Sequence, residues 1–369
     1  MTQHPTDHVP VPRIQRLRSA PPQSRSVEPD RSSPLRSLHL NESPFPPAPR
    51  VVAAMQAAAG ALNRYPDHDG QELIAALAAR NDVAQDRIII GAGSNELLYA
   101  SADIALDAGD EAIAPVPGFP TYAKTIALRG ATYVGVPVRP DGIADVEAMI
   151  AALTPRTRLV YVATPQNPTG GLLEPAGIER LVGALPEDLL LHFDEAYYEF
   201  GQHAGAPPAL PVLERRKAPW IVTRSFSKAF GLAGVRVGYG IASSAAIADA
   251  YRKIRVNFSV NAAALAGARA ALHEEQHLAD LLNHTATQRR LLAEGLSKLG
   301  FEPLPSAANF LALVAPRPAG ELAAALKARN IFILPFAWRD TPGALRISIG
   351  TQEDTDAVID ALTEVLAAQ

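Results

Sequence analysis

The sequence predicts an α/β protein. Its larger unit is a mainly parallel sheet covered by helices on both faces, and a smaller α/β unit follows it toward the C-terminus. Three observations carry this expectation. From about residue 70 the chain alternates between short, continuous apolar runs and longer Ala/Leu-rich segments of helical spacing. The runs are bounded by Gly, Pro or charged turns, as strands buried on both faces are. After about residue 256 the pattern changes to a long helical stretch, then short apolar runs, then a final helix.

The strand candidates in order are RIIIGAG (87–93), EAIAPVP (111–117), RLVYVATP (158–165), LLLHFDEA (189–196) and WIVTRSF (220–226). Segments such as NELLYASADIAL (95–106) and PAGIERLVGAL (175–185) lie between them and read as covering helices. In the smaller unit a helical stretch over 262–299 precedes strands around NFLALV (309–314), IFILPF (331–336) and LRISIG (345–350), and a helix over 353–367 closes the chain.

Size and composition set limits. A chain of 369 residues exceeds what one small core organises, which favours two units. Apolar residues make up 48% and the net charge is −4, so there is no electrostatic basis for binding nucleic acid or an anionic membrane. Cysteine is absent, which excludes disulfides, thiolate catalysis and Cys-ligated metal sites. No apolar run approaches the ~20 residues that span a bilayer. A soluble, cytoplasmic protein with no metal is expected.

Residues 1–37 differ from the rest. They are rich in Pro, Ser and Arg and poor in large apolar residues, a composition that buries too little surface to order itself. Asp7, Glu28 and Asp30, and the lack of an amphipathic repeat, argue against a transit peptide, and the lack of an apolar core segment argues against a secretory signal. The expectation is a flexible arm, followed by a linking segment (38–66), a large unit (67–255) and a small one (256–369).

In a sheet of this kind ligands bind at the carboxyl ends of the strands. The groups that fall there are Gly91-Ala92-Gly93-Ser94-Asn95, Phe119-Pro120-Thr121-Tyr122, Pro165-Gln166-Asn167-Pro168, Asp194-Glu195-Ala196-Tyr197 and Ser225-Phe226-Ser227-Lys228. Each has a plain structural explanation. GAGSNE opening a helix offers free N–H groups to a phosphate, yet Gly-Ser-Asn in that place is more often a cap. Asp194 after an apolar strand is usually half of a salt bridge. Most lysines are solvated, although desolvation among small residues would lower the Lys228 pKa. Ser225, Ser227 and Arg236 suit a dianion together. Tyr122 alone is more often core than a stacking plate. Their convergence on one crevice is what points to a ligand. An amine, a carboxylate, an amide, a tyrosine, an aromatic plate and a phosphate cup together match pyridoxal 5′-phosphate.

The stretch SFSKAFGLAGVRVGYG (225–240) resembles the Schiff-base lysine motif of fold-type I, class I/II aminotransferases, and within them the histidinol-phosphate aminotransferase family. LNESPFPP (40–47), NRYPD (63–67), GAGSNE (91–96), PGFPTY (117–122), NPTGG (167–171), DEAYYEF (194–200), PSAANF (305–310) and LRISIG (345–350) are similar to that family's pattern in the same order, over roughly residues 38–367. The resemblance implies a seven-stranded large sheet and a homodimer with shared sites, the segment 38–66 packing on the small unit and the dimer interface. It implies that Lys228 binds the cofactor covalently and then moves the substrate proton, that Asp194 pairs with the pyridinium nitrogen, and that Asn167 and Tyr197 hold the phenolic oxygen. Tyr122 would stack on the ring. Ser225, Ser227 and Arg236, with Gly93, Ser94 and Asn95, would bind the phosphate, and Tyr65 would reach it from the partner subunit. Arg346 would clamp the substrate's anionic group, with Asn309 and Glu42 nearby.

One departure concerns the substrate. In the family a second arginine usually precedes the substrate arginine by one strand, and IFILPFAWRD puts Leu334 there. Arg339 would compensate if it faced the site, and Phe336 and Trp338 would either line a more apolar pocket or belong to the core. Histidinol phosphate and an aromatic or aliphatic amino acid therefore both stay open as amino donors, with 2-oxoglutarate as acceptor. A decarboxylase of the threonine-phosphate type shares the motif set. A non-catalytic, cofactor-binding regulator would need a DNA- or partner-binding module, which an arm this short and Pro-rich does not supply.

Overall fold

The computed structural model describes residues 11–15, 17 and 34–367. The remainder of the arm expected at 1–37 lies outside the described residues. A short strand β1 (Arg36–Ser37) opens the continuous part, two residues inside that segment. Seven strands then build the large sheet: β2 (Ile88–Gly91), β3 (Glu111–Val116), β4 (Thr132–Pro137), β5 (Thr157–Ala163), β6 (Leu190–Asp194), β7 (Trp220–Ser225) and β8 (Gly238–Ala242). Their order is β2-β8-β7-β6-β5-β3-β4. All run parallel except β8, which lies antiparallel to both neighbours.

Two of these strands carry no apolar run, which is why the sequence pattern missed them. β4 is the sheet edge and keeps Thr132 and Gly135 exposed. β8 reads GYGIA, a poor strand by propensity. It needs its glycines: a Cβ on Gly238 would run into the Ser94 backbone nitrogen, and one on Gly240 would come 2.8 Å from the Ile221 side chain.

The smaller sheet holds β9 (Glu302–Pro303), β10 (Phe310–Val314), β12 (Leu334–Phe336) and β13 (Ala344–Ser348), all antiparallel in the order β12-β13-β10-β9. The run 331–336, expected as one strand, divides at Ile333. β11 (Ile331–Phe332) pairs in parallel with β1, and Pro335, which has no N–H to give, sits in the edge strand β12.

The stretch 262–299, expected as one helix, divides into Ala262–Ala271 and Glu275–Ser297. Packing explains the break. Ala264, Ala268 and Ala271 bury in the core of the large sheet with Val51, whereas Leu292 and Leu296 bury with Leu313, Leu345 and Ile347 of the small one. Burial is worth about 1.5–3 kcal/mol for each leucine and about 0.8 kcal/mol for each alanine methyl, and one straight helix would forfeit one of the two sets. The segment entering from β1 is divided likewise: Leu38 joins the smaller core, Ala48 and Val51 the larger.

His192 lies in β6, two residues before Asp194, and is fully buried. Its Nδ1 is 2.6 Å from Ser101 Oγ and its Nε2 2.9 Å from Thr223 Oγ1. Burial lowers its pKa to about 3. The fold therefore holds the neutral ring, while the unfolded chain takes up a proton near pH 6.5. This contribution to stability is complete above about pH 6.5 and declines as pH falls toward 3, by about 1.4 kcal/mol per pH unit. Urea unfolding at pH 7 and at pH 5 is expected to differ by about 2 kcal/mol more in the native protein than in a His192→Gln variant. Equal differences in the two would rule out His192 as an acid-labile group.

Candidate active site

A cavity of about 470 Å³ opens at the carboxyl ends of β5, β6 and β7, within the range of small-molecule sites. Of the residues singled out by sequence, Glu42, Ser94, Asn95, Tyr122, Asn167, Asp194, Tyr197, Ser225, Ser227, Lys228, Arg236 and Arg346 line it. Gly93 lies just behind the lining. Asn309 is buried beneath it and donates from Nδ2 to the Asn41 carbonyl at 3.0 Å. Tyr65 stands away from this chain's own cavity, 81% exposed, with its ring stacked 4.4 Å from that of Phe258.

The polar ends of the cavity differ. At one end the helix Ser94–Ala105 presents its N-terminus, with Gly93 at φ +81° as its cap. Ser225 and Ser227 follow β7, and Arg236 reaches back so that Nη1 lies 3.3 Å from Ser227 Oγ. A Cβ on Gly93 would come 2.5 Å from Arg236 Nη2, so glycine is what lets the guanidinium close against the helix start. Helix dipole, hydroxyls and guanidinium together make a cup for a phosphate-like dianion.

In the middle are two buried ionisable groups whose hydrogen-bond partners are neutral. Asp194 accepts from the Tyr122 hydroxyl at 2.7 Å and the Ala196 N–H at 3.0 Å, and burial raises its pKa to about 6. The ring of Tyr122 also stacks on Tyr161 at 4.8 Å, so the side chain expected as a plate is held by core on one side. The Lys228 ammonium donates to the Leu40 carbonyl at 2.9 Å, and burial, with Arg346 nearby, lowers its pKa to about 8.

At the far end Arg346 of β13 donates from Nη1 to Asn167 Oδ1 at 2.7 Å and from Nη2 to the His39 carbonyl at 2.5 Å. Leu334 is its cross-strand partner and also lines the cavity. Arg339 turns away, donating to the Val138 carbonyl at 2.9 Å. Phe336 and Trp338 pack with Val138, Leu304 and Ala312, so they belong to core and not to the cavity wall.

Sequence reasoning missed the residues 39–41. His39, Leu40 and Asn41 all line the cavity, and Asn41 Nδ2 donates to the Tyr197 hydroxyl at 2.9 Å. LNESPFPP was visible as a motif, but nothing local says where its backbone and amide point. Also missed was the ion pair below the floor. Arg224 Nε donates to Glu195 Oε2 at 2.7 Å, both side chains almost fully buried, and the guanidinium lies 3.4 Å from the Tyr198 ring centroid. It ties the end of β7 to the turn after β6, next to Asp194 and Ser225.

A buried amine, a buried carboxylate and a cup suited to a dianion meet at the carboxyl edge of this α/β sheet. A model of the family described as aminotransferase class I and II matches residues 35–362, and the chain belongs to that family. It is 34% identical to histidinol-phosphate aminotransferase 1 of Mesorhizobium japonicum, over 90% of each chain. It is 37% identical to an aromatic amino acid aminotransferase of Rhodococcus jostii, over 89% of this chain and 90% of that one. The crystal structure of histidinol-phosphate aminotransferase from Sinorhizobium meliloti in complex with pyridoxal-5′-phosphate matches with a TM-score of 0.88 at 33% identity, covering 97% of both chains.

Gly93→Ala is expected to displace Arg236 and weaken binding of inorganic phosphate, measured by calorimetry, about tenfold, the equivalent of one charge-assisted hydrogen bond. Unchanged affinity would show that the cup does not depend on this close approach.

Proposed function

We propose that the cavity holds pyridoxal 5′-phosphate and that this aminotransferase moves an amino group between an α-amino acid with an apolar side chain, aromatic or aliphatic, and a 2-oxo acid such as 2-oxoglutarate. The observation that carries the substrate class is the Arg346 end. Its guanidinium is the one that faces the substrate end of the cavity among the described residues, and Leu334 stands across from it. One guanidinium matches one carboxylate, whereas a phosphomonoester calls for more cationic hydrogen-bond donors. A second reading, histidinol phosphate as donor, is favoured by the relatives that bear that enzyme's name.

The residues fit the cofactor. The close approach of the Arg236 guanidinium to Gly93, the N-terminus of the helix Ser94–Ala105, and the hydroxyls of Ser225 and Ser227 suit its phosphate end. Asp194 suits a pyridine N–H, and Asn167 with Tyr197 suits a phenolic oxygen. When bound, pyridoxal phosphate supplies an aldehyde that condenses with amines and a ring that takes up the electron pair released at the substrate α-carbon.

The chain's own groups do the rest. Lys228, with its pKa brought to about 8, is neutral in a usable fraction at mildly alkaline pH, so Nζ both attacks as a nucleophile and carries the α-proton away and back. Asp194 is ionised above about pH 6 and is braced by the Tyr122 hydroxyl, so it would hold a pyridine nitrogen placed against it in the protonated form. Arg346 binds the substrate carboxylate and fixes which bond at the α-carbon is presented. Asn167, gripped by Arg346, couples that clamp to the Tyr197 hydroxyl.

The reading extends to a cytoplasmic homodimer. Tyr65 and Val256 are both large exposed apolar side chains, with the Tyr65 ring stacked on Phe258, and a second copy that covered Tyr65 would take this surface out of water.

Competition between phenylalanine, leucine and histidinol phosphate as donors to 2-oxoglutarate is expected to favour the amino acids, and Leu334→Arg to raise use of histidinol phosphate. A native preference for histidinol phosphate would overturn the substrate class, and carbon dioxide release without keto-acid formation would indicate decarboxylation. Asp194→Asn is expected to lower turnover by about two orders of magnitude or more while the protein still takes up cofactor. Near-native turnover in that variant would refute the role given to the carboxylate.

A further inference from the structure

The Tyr197 hydroxyl is where three parts of the chain meet. Asn41 Nδ2 donates to it at 2.9 Å and Asn167 Nδ2 at 3.3 Å. Two contacts set the amides. Asn167 Oδ1 accepts at 2.7 Å from Arg346 Nη1, which can only donate, so its nitrogen faces the tyrosine. Ser348 Oγ accepts from the Asn41 N–H and gives its hydrogen to Asn41 Oδ1 at 3.0 Å; turning that amide over would strip the buried Ser348 hydroxyl of its acceptor, so here too the nitrogen faces the tyrosine. A phenol oxygen takes two donors and offers one hydrogen. With both accepting positions filled, the hydrogen is the only capacity left, and no acceptor for it exists among the described residues. Tyr197 lines the cavity.

Asn41 is itself held from every side. It is 2% exposed and sits at φ +55°, a left-handed conformation that Asn tolerates better than most residues. Its N–H donates to Ser348 Oγ at 2.8 Å, and its carbonyl accepts from Asn309 Nδ2 at 3.0 Å.

We propose that Asn41 is a positioning residue that directs the Tyr197 O–H into the cavity, onto the phenolic oxygen of the cofactor. The inference rests on the reading that the cavity holds pyridoxal phosphate. The two amide donors also make the hydroxyl a stronger acid, since hydrogen bonds to a phenol oxygen favour its ionised form. The Asn41 bond acts in that direction on Tyr197, against the effect of burial. A hydroxyl donating to the phenolic oxygen favours that oxygen's deprotonated form, so Asn41 acts at one remove on the pH at which the lysine-bound cofactor changes colour.

The test is a visible-absorbance titration of protein loaded with pyridoxal phosphate, for the native chain, Asn41→Gly, Tyr197→Phe and the double variant. Glycine keeps the left-handed backbone accessible. Asn41→Gly and Tyr197→Phe are each expected to raise the midpoint by about half a unit to one unit, and the double variant no further than Tyr197→Phe alone. A purely structural role for Asn41 predicts either no shift or a shift that adds in full to that of Tyr197→Phe, and either result overturns the inference. Should Asn41→Gly not fold, Ser348→Ala releases the Asn41 amide and is expected to give a smaller shift of the same sign; no shift there overturns it equally. A native protein that takes up no colour sinks the cofactor reading and this inference together, whereas a coloured native protein with an unshifted Asn41→Gly sinks the inference alone.

Discussion

Keeping the Lys228 amine out of water on a neutral hydrogen-bond partner is the constraint around which the cavity is arranged. Its hydrogen bond is to a backbone carbonyl, that of Leu40. Asp194 is treated alike, with a hydroxyl and an N–H for company, and so is Arg346, with an amide oxygen and a carbonyl. An ion pair would lock each group in its charged form, whereas neutral dipoles satisfy the hydrogen bonds and leave the charge available to a ligand. A few ångströms lower, Arg224 and Glu195 do the opposite. They neutralise each other in a buried pair, and that pair holds the strand ends rigid. The same strand ends thus carry a reactive set and a spent set of charges, separated by which partner each one meets.

The fold was legible where burial is symmetrical. β5, β6 and β7 are covered on both faces and read as unbroken apolar runs, and the residues that follow them were found by asking what lies at their carboxyl ends. β4 and β8 were not legible, because an edge strand needs no apolar run and a strand packed against a helix start needs glycine more than bulk. Cavity-lining residues stood out because several chemical types fell at equivalent points of successive strands. Asn41 did not. Its partners Tyr197, Asn309 and Ser348 lie 156, 268 and 307 residues away, and no local pattern encodes a contact of that span.

At the substrate end the alternatives left open by sequence divide by side-chain direction. Phe336 and Trp338 follow the cavity-lining Leu334 closely in sequence, yet they fill the space between β10, β13 and Val138. Arg339 takes a left-handed backbone conformation at φ +47° and its guanidinium goes to the Val138 carbonyl. Leu334 is left as the side chain facing the cavity from β12. Alternation along a strand accounts for this: Leu334 and Phe336 are two apart and share a face, but Leu334 sits over the cavity and Phe336 has already passed its rim.

The segment between β1 and Val51 works as a set of reins. It is tied to β11 at one end and buried in the large core at the other, and in between it grips Lys228 through Leu40, Arg346 through His39 and Ser348 through Asn41. The two sheets cannot draw apart without slackening those grips first. The hydrogen bond that holds the amine and the contacts that tie the two sheets together are thereby carried by one short stretch of backbone, so a change in either is felt by the other.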